Sequence, residues 1–398
     1  MNILVINAGS SSLKYQLVDM QTEAAVAKGL CERVGSEGSF HKYEINGQER
    51  LVEVPLPDHR AAVKAALDAL LDPQDGAIES LDEIDAVGHR TVHGGEYFSR
   101  SVLIDDDVVA KVEECAVLAP LHNPPSLAGI GACRELMGKV PHVAVFDTAF
   151  HQTMPASSYR YALPNSLYEQ HKIRRYGFHG TSHRYVTERA AAYLGKPVSE
   201  LKLITCHLGN GCSIAAVSGG KVVDTSMGFT PLEGLMMGTR CGSIDPAIVT
   251  FMVGELGMSA DDVNRVMNKE SGLLGISGAS NDLRDIEQAA EQGDARAQLA
   301  NEMYAHAIRK HIGAYEYVLG GVDAIVFTAG VGENSSSMRS LIFQGLEGVG
   351  LVLDAEKNAE RGGERTISTP SSRAHILVIP TNEELMIAKD AKACVTAG

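Results

Sequence analysis

Ile6-Asn7-Ala8-Gly9-Ser10-Ser11-Ser12-Leu13-Lys14 is the stretch on which the reading of this chain turns. An apolar run from Ile3 to Ile6 leads into Asn-Ala-Gly and three serines, and the alternating run Tyr15-Gln16-Leu17-Val18 follows the lysine. The pattern predicts strand, tight turn, strand, with Asn7 in the turn. Small residues let backbone N–H groups close on an anion, hydroxyls add donors, and Lys14 adds a charge. A hairpin with a merely polar tip is the plainer alternative. Three serines beside a strand-borne lysine favour phosphate binding.

The device recurs downstream. Leu203-Ile204-Thr205-Cys206-His207 reads as a strand, Leu208-Gly209-Asn210-Gly211-Cys212-Ser213 as a turn, and Ile214-Ala215-Ala216-Val217 as the returning strand. Gly219-Gly220 turns again into Lys221-Val222-Val223-Asp224. Two α/β halves, each with a hairpin tipped by Gly, Asn or Ser, suggest a duplicated unit and a nucleotide held between two lobes. A length of 398 residues agrees, because one simple core does not extend that far. The segment Gln152 to Asn165 has two prolines and little periodicity, and it is the expected boundary. The expected domains are 1–150 and 151–383, with a C-terminal helix over 384–398 joining the first. Helical spacing is expected near 58–71, 105–118, 125–138, 245–256, 259–269 and 294–319, and buried strands near 143–147, 324–327 and 376–379.

Hydrophobic content of 44% and charged content of 21% describe an ordinary globular chain. A net charge of −15 argues against nonspecific nucleic-acid or anionic-membrane binding. The seven cysteines are scattered and contain no C-x-x-C pair, so a reducing cytoplasm and small buried thiols are expected. The chain opens directly on a strand, with no basic segment of the signal-peptide kind, and no apolar run approaches a membrane span.

Several segments carry candidate chemistry. Gly330-Val331-Gly332-Glu333-Asn334 reads as a loop between a buried strand and a helix, where glycines would let a ring or phosphate lie on the backbone. It does not fit G-x-G-x-x-G, and the chain contains no G-x-x-x-x-G-K-[ST], so a dinucleotide fold is disfavoured and a P-loop is excluded. Arg90 and Arg240 each stand in a glycine-flanked loop suited to bidentate capture of carboxylate or phosphate. Gly177-Phe178-His179-Gly180-Thr181-Ser182-His183 is the densest polar cluster: His179 can donate to a phosphoryl group and Ser182 can cap the following helix. His179 and His183 are expected on different elements, which disfavours zinc. Asp147 ends a buried strand, a usual place for a catalytic or magnesium-linked acid, though a helix N-cap would use the same residue. Asn7 and the Glu383-Glu384 pair are candidate magnesium-shell oxygens, and such ligands are expected to be few and dispersed.

These motifs together resemble the acetokinase family, the acetate kinases, within the wider actin, sugar-kinase and Hsp70-like ATPase superfamily. The resemblance rests on VINAGSSSLK, GHRTVHGGE, HNPPS, VFDTAFH, YGFHGTSHRYV, HLGNGCS, GTRCGSIDP, TAGVGENS and TNEEL, nine segments in order across the chain. It implies a two-lobed ribonuclease H-like/actin-like α/β fold with ATP in the cleft. It also implies reversible, magnesium-dependent phosphoryl transfer from ATP to acetate, with manganese able to substitute, by a cytoplasmic homodimer. Carried over position by position, Asn7 and Glu383 would hold the metal. Asp147, His179 and Arg240 would be catalytic. Arg90 would hold the carboxylate, and Val92, Leu121, Phe178 and Pro231 would surround the methyl group. ATP would meet Lys14, His207, Leu208, Gly209, Asn210, Gly211, Asp282, Leu283, Arg284, Gly330, Val331, Gly332, Glu333 and Asn334. Acetate is already ionised at neutral pH, so the attacking oxygen needs no general base. Asp147 is therefore expected to orient its neighbours more than to move a proton.

Two rivals remain at this level. A propionate or butyrate kinase of the same family would differ by methylenes in an apolar pocket. A nucleotide-gated binding protein of the superfamily would hydrolyse ATP without needing an acid, and would leave the Arg90, His179 and Arg240 loops without a purpose.

Overall fold

The computed structural model describes residues 1–397. Fourteen strands among them form two sheets. The first sheet contains β1 (Asn2–Ala8), β2 (Ser12–Asp19), β3 (Ala24–Glu32), β4 (Phe40–Ile45), β5 (Gln48–Glu53), β6 (Ile84–Thr91), β7 (Val102–Leu103) and β8 (His142–Phe146), ordered β5-β4-β3-β2-β1-β6-β8-β7. The second contains β9 (Lys202–Leu208), β10 (Cys212–Ser218), β11 (Lys221–Thr225), β12 (Ala324–Thr328), β13 (Arg365–Thr366) and β14 (His375–Val378), ordered β11-β10-β9-β12-β14-β13. Both sheets share a plan. In each, the first strand of a three-strand antiparallel meander pairs with a parallel strand that pairs in turn with a second, β1 with β6 and then β8, and β9 with β12 and then β14. The recurrence of the hairpin in the sequence is thus a recurrence of topology.

The chain divides into two compact units, Met1–Gln152 with the segment from Asn382 onward, and Thr153–Thr381. In the first unit the helices His59–Leu70 and Asn123–Leu136 pack on the sheet. Leu4, Ile6, Leu13, Leu17, Val63, Leu70, Val87 and Cys133 form one buried cluster there. The C-terminal helix Glu383–Thr396 packs on β1, β6 and β8. Ile3 to Ile6 are consecutively buried, as expected of a strand covered on both faces. The expected helix 384–398 corresponds to Glu383–Thr396, and Gly398 lies outside the described residues. In the second unit the helices Gly180–Leu194 and Ala295–Leu319 pack on the strands.

Two local expectations are corrected. Asn7 is not a turn residue: β1 continues through Ala8, Asn7 pairs with Lys14 across the ladder, and the turn is only Gly9–Ser11, closed by Gly9 N–H donating to Ser12 O at 2.8 Å. The second hairpin has the same three-residue tip, Gly209–Gly211, with Gly209 N–H donating to Gly211 O at 3.1 Å. Nor is Gly330–Asn334 a loop. It lies in a short helix, Ala329–Asn334, because the Glu333 carboxylate folds back to accept from Ala329 N–H at 2.8 Å and stabilises the first turn. Of the seven cysteines none is in a disulfide and five are buried; burial pushes the Cys31 and Cys133 thiols up to about 12. No helix among the described residues is long and apolar enough to cross a membrane.

Buried His41 on β4 sits with Nε2 2.9 Å from the Tyr15 hydroxyl. Burial lowers its pKa from 6.5 to about 4. The unfolded chain therefore takes this proton first. The stabilisation is complete above about pH 6.5 and is lost as pH falls toward 4, amounting to roughly 3 kcal/mol. His41→Gln, which keeps a partner for Tyr15, should remove about that much of the acid-side fall in urea-unfolding free energy. An unchanged fall would contradict it.

Candidate active site

In the first unit the predicted residues gather at the C-terminal ends of parallel strands, where α/β sheets commonly present polar groups. Asn7 is near the end of β1, Arg90 near the end of β6, and Asp147 immediately follows β8. Asp147 is buried, and its N–H donates to Thr91 O at 3.0 Å. Its carboxylate takes a two-point contact from Arg90, Nε to Oδ1 at 3.2 Å and Nη2 to Oδ2 at 2.7 Å. Arg90 Nη1 points to Asn7 Oδ1 at 3.5 Å. The Asp147 carboxylate raises the Arg90 pKa further above its ordinary value.

Glu383 opens the C-terminal helix, whose cap is Asn382 accepting from Leu385 N–H at 2.9 Å. A helix N-terminus favours a carboxylate, yet burial prevails here. It pushes the Glu383 carboxyl up to about 7; Asp147 and Glu384 add to the rise, and Arg90 and Lys14 oppose it. Asn7, Lys14 and Glu384 also border a cavity of about 330 Å³ on the β1–β5 face.

The loop after Arg90 is held by a residue the sequence reading left without a role. Asn123 is fully buried at the start of the helix Asn123–Leu136. Its Oδ1 accepts from His93 N–H at 3.1 Å, and its Nδ2 donates to His93 O at 3.0 Å and Val112 O at 3.1 Å. Gly94 must be glycine, because a Cβ there would stand 2.8 Å from the Phe146 ring. Val92 in this loop is buried, whereas Leu121 is 66% exposed.

In the second unit three predicted segments line one cavity of about 640 Å³, within the usual range for small-molecule sites. Gly209 and Asn210 come from the hairpin tip, Asp282 to Arg284 from a helix start, and Gly330, Val331 and Asn334 from the short helix. His207, Leu208, Gly211, Gly332 and Glu333 do not line it. Leu208 is buried in β9, and the Glu333 carboxylate is engaged by Ala329 N–H and by Thr381 N–H at 3.1 Å. Asp282 caps its helix and is paired with Arg284, Nε to Oδ1 at 3.0 Å. Gly238, Leu273, Asn281, Glu287, Ser335 and Arg361 complete the lining, and none of them was expected as an ATP contact. Buried Arg339 holds the short helix from behind, donating to Gly332 O at 2.8 Å and to Asn358 Oδ1 at 2.7 Å.

Beside the hairpin tip lies a group of histidines. His179 is the N-cap residue of the helix Gly180–Leu194 with φ of 56°, a left-handed conformation that costs a non-glycine residue about 1 kcal/mol or more. Its ring stacks on His207 at 4.1 Å between centroids. His179 Nδ1 and His183 Nε2 both contact Ser213 Oγ, at 2.9 and 2.7 Å. The two histidines therefore occupy one helix start and its first turn and converge on one hydroxyl, contrary to the expected separation. Ser182 is not the helix cap. It lies inside the helix, 2.8 Å from His207 Nδ1 and 2.9 Å from Thr381 Oγ1. Arg240 is fixed by donation to Pro231 O at 2.8 Å, and burial lowers its pKa from the ordinary value. A Cβ added to Gly211 would lie 3.6 Å from Arg240 Nη2 and from His179 Cε1 and Nε2, so the guanidinium and the Nε2 edge of the imidazole come together beside the glycine turn. Phe178, beside His179, is buried.

A sequence profile of the acetokinase family matches residues 2–389. The chain belongs to the acetokinase family. An acetate kinase of Clostridium botulinum (strain Kyoto / Type A2) is 60% identical over 392 residues, 98% of this chain and 99% of that protein. The crystal structure of Porphyromonas gingivalis acetate kinase superimposes with a TM-score of 0.95 at 49% identity, covering 99% of each chain. A propionate kinase from Francisella tularensis gives 0.92 at 43% identity, covering 98% of this chain and 99% of that one. The mixed α/β, two-sheet architecture is thus that of solved acetokinase-family enzymes.

Asn123→Ala would leave one buried donor and two buried acceptors unsatisfied in the His93 loop. It should cost about 3 kcal/mol or more and lower the thermal midpoint by several degrees. A melt indistinguishable from the parent would refute the bracing role.

Proposed function

We propose that the chain transfers the γ-phosphoryl group of ATP to acetate, reversibly and with magnesium, giving acetyl phosphate and ADP. The observation that carries this reading is the convergence of His179 and Arg240 over Gly211, on the turn whose neighbours line the 640 Å³ cavity. Phosphoryl transfer is mostly positioning and charge stabilisation. An arginine and a histidine aimed at one point suit the charge that develops on the equatorial phosphoryl oxygens. ATP is read against Gly209 to Gly211, Asp282 to Arg284 and Gly330 to Asn334, with Lys14 and His207 adding polar contacts.

Arg90 is the carboxylate-binding residue in this reading. Its Nε and Nη2 are already engaged by Asp147, so acetate would meet the remaining Nη1 edge. A carboxylate held by an arginine is a weak base, and acetate needs none. Asp147 therefore acts by orienting Arg90 and the local charge. Val92, Leu121, Phe178 and Pro231 are proposed to meet the methyl group.

The oxygen donors of the first unit suit a hard divalent cation. Asn7 offers an amide oxygen and Glu383 a carboxylate whose pKa is raised first by burial and then by Asp147 and Glu384, a cost that a bound cation would offset. Among the described residues no three His, Cys, Asp or Glu form a metal cage, and magnesium, which keeps most of its waters, needs none. Asn7 and Glu383 would hold the ion, with manganese accepted by the same donors. When bound, it would neutralise phosphate charge.

The cysteines without disulfides favour a cytoplasmic setting. A homodimer is supported by the helix Ala247–Gly254, which is almost wholly apolar and has no buried residue: Ile248, Phe251 and Val253 are 40%, 54% and 47% exposed. The occupant proposed for this face is a second copy. Phe251→Glu should then halve the mass measured by light scattering, and an unchanged dimer would move the interface elsewhere.

Incubation with ATP, magnesium, acetate and hydroxylamine should yield acetyl hydroxamate. ATP hydrolysis with no acid dependence would favour the binding-protein alternative instead. Each added methylene on the acid should lower kcat/KM by about tenfold or more. A preference for propionate or butyrate would reassign the enzyme within its family.

A further inference from the structure

We propose that Thr205, His183 and Ser213 form a one-directional hydrogen-bond relay that places the His179 proton on Nε2, where it faces the phosphoryl group. The three distances are Thr205 Oγ1 to His183 Nδ1 at 2.7 Å, His183 Nε2 to Ser213 Oγ at 2.7 Å, and Ser213 Oγ to His179 Nδ1 at 2.9 Å. Thr205, His183 and Ser213 are completely buried.

Each hydroxyl carries one proton and each neutral imidazole one, and Ser213 accepting from both rings would leave its own buried O–H without an acceptor, so the chain runs in one of two directions. In the first, Thr205 donates to His183 Nδ1, His183 Nε2–H donates to Ser213, and Ser213 donates to His179 Nδ1. His179 then carries its proton on Nε2. In the reverse direction His179 Nδ1–H donates to Ser213, and Nε2 is a bare lone pair.

The surroundings of His179 select the first direction. Its Nε2 edge and Arg240 Nη2 lie together beside Gly211, each 3.6 Å from where a Cβ would stand. A lone pair there would repel a phosphoryl oxygen, whereas an N–H would donate to it. A doubly protonated imidazolium would also donate, but it would stand beside the Arg240 guanidinium as a like charge. It would also stand at the positive end of the helix Gly180–Leu194, which disfavours a cation. The His207 stack fixes the plane of the ring, so the relay has only the proton to decide. In histidine sites generally, the bond made by one ring nitrogen sets the state of the other.

The inference rests on reading His179 as the group that meets the transferring phosphoryl. Ser213, His183 and Thr205 are positioning residues, since they touch His179 and not the reacting atoms. The test is ring-nitrogen ¹⁵N NMR on histidine-labelled protein, with the His179 signals identified by their loss in His179→Gln. The parent should show a neutral ring protonated on Nε2. Ser213→Ala should give a mixture of tautomers and lower kcat about tenfold to a hundredfold with KM little changed. His183→Leu should shift both readouts in the same direction by less, because Ser213 keeps its hydroxyl but loses its bias.

A parent ring protonated on Nδ1 would overturn the relay. So would Ser213→Ala with lowered kcat and the parent tautomer intact, which would mean a structural role only, or Ser213→Ala with kcat unchanged. Should Ser213→Ala not fold, the parent tautomer alone decides the direction. The tautomer is read without turnover. Failure of the parent to form acetyl hydroxamate would therefore sink the phosphotransferase reading separately from the relay.

Discussion

The ion pair between Arg90 and Asp147 joins the ends of two parallel strands inside the first unit. A carboxylate 1% exposed cannot stay ionised there without a partner. Removing either member of such a pair typically costs about 3–5 kcal/mol, although the intact pair contributes little net stability against an apolar replacement. Its value is directional. The two-point contact sets the plane of the guanidinium, and Asn7 and Glu383 arrive around it because β1 and the C-terminal helix pack against the same strands.

The second unit orients its polar groups through uncharged partners. A glycine turn at Gly209–Gly211 leaves room above the backbone, and the polar groups that face it come from strand, helix start and loop. Their orientations are set by bonds away from the cavity: Pro231 O on Arg240, Ser213 on His179, and Asn358 on Arg339. The Arg339 guanidinium is almost fully buried and burial pulls it down to about 10, a cost accepted at the base of the helix that carries Gly330 and Asn334. Rigid backing of this kind is what groups need if they are to stabilise developing charge without rearranging.

Legibility followed range along the chain. The hairpins, the buried strands and most helices were readable because apolar period and turn residues are local. The short helix at Ala329–Asn334 was not, because its nucleus is the Glu333 carboxylate folding back onto Ala329 and also bonding Thr381, which is far away in sequence. Ser182 looked like a cap because serine before a helix usually is one. The N-cap lies three residues earlier, at a His179 held in a left-handed conformation. Asn123 sat in a recognised segment yet showed no role, since its three partners lie 30 and 11 residues away.

Local pattern in the sequence specified the two repeated α/β halves and their hairpins with polar, glycine-bearing tips, because these depend on nearby size, charge and polarity, while the fuller set of candidate residues came from the resemblance. Tertiary structure alone decided how those residues behave. It turned Asn7 from a turn residue into a ladder residue, gave Asp147 to Arg90, raised the Glu383 pKa to about 7, and brought His179 and His183 to one serine. The reason is that burial and proximity set pKa, tautomer and direction of donation, and both belong to segments brought together from distant parts of the chain.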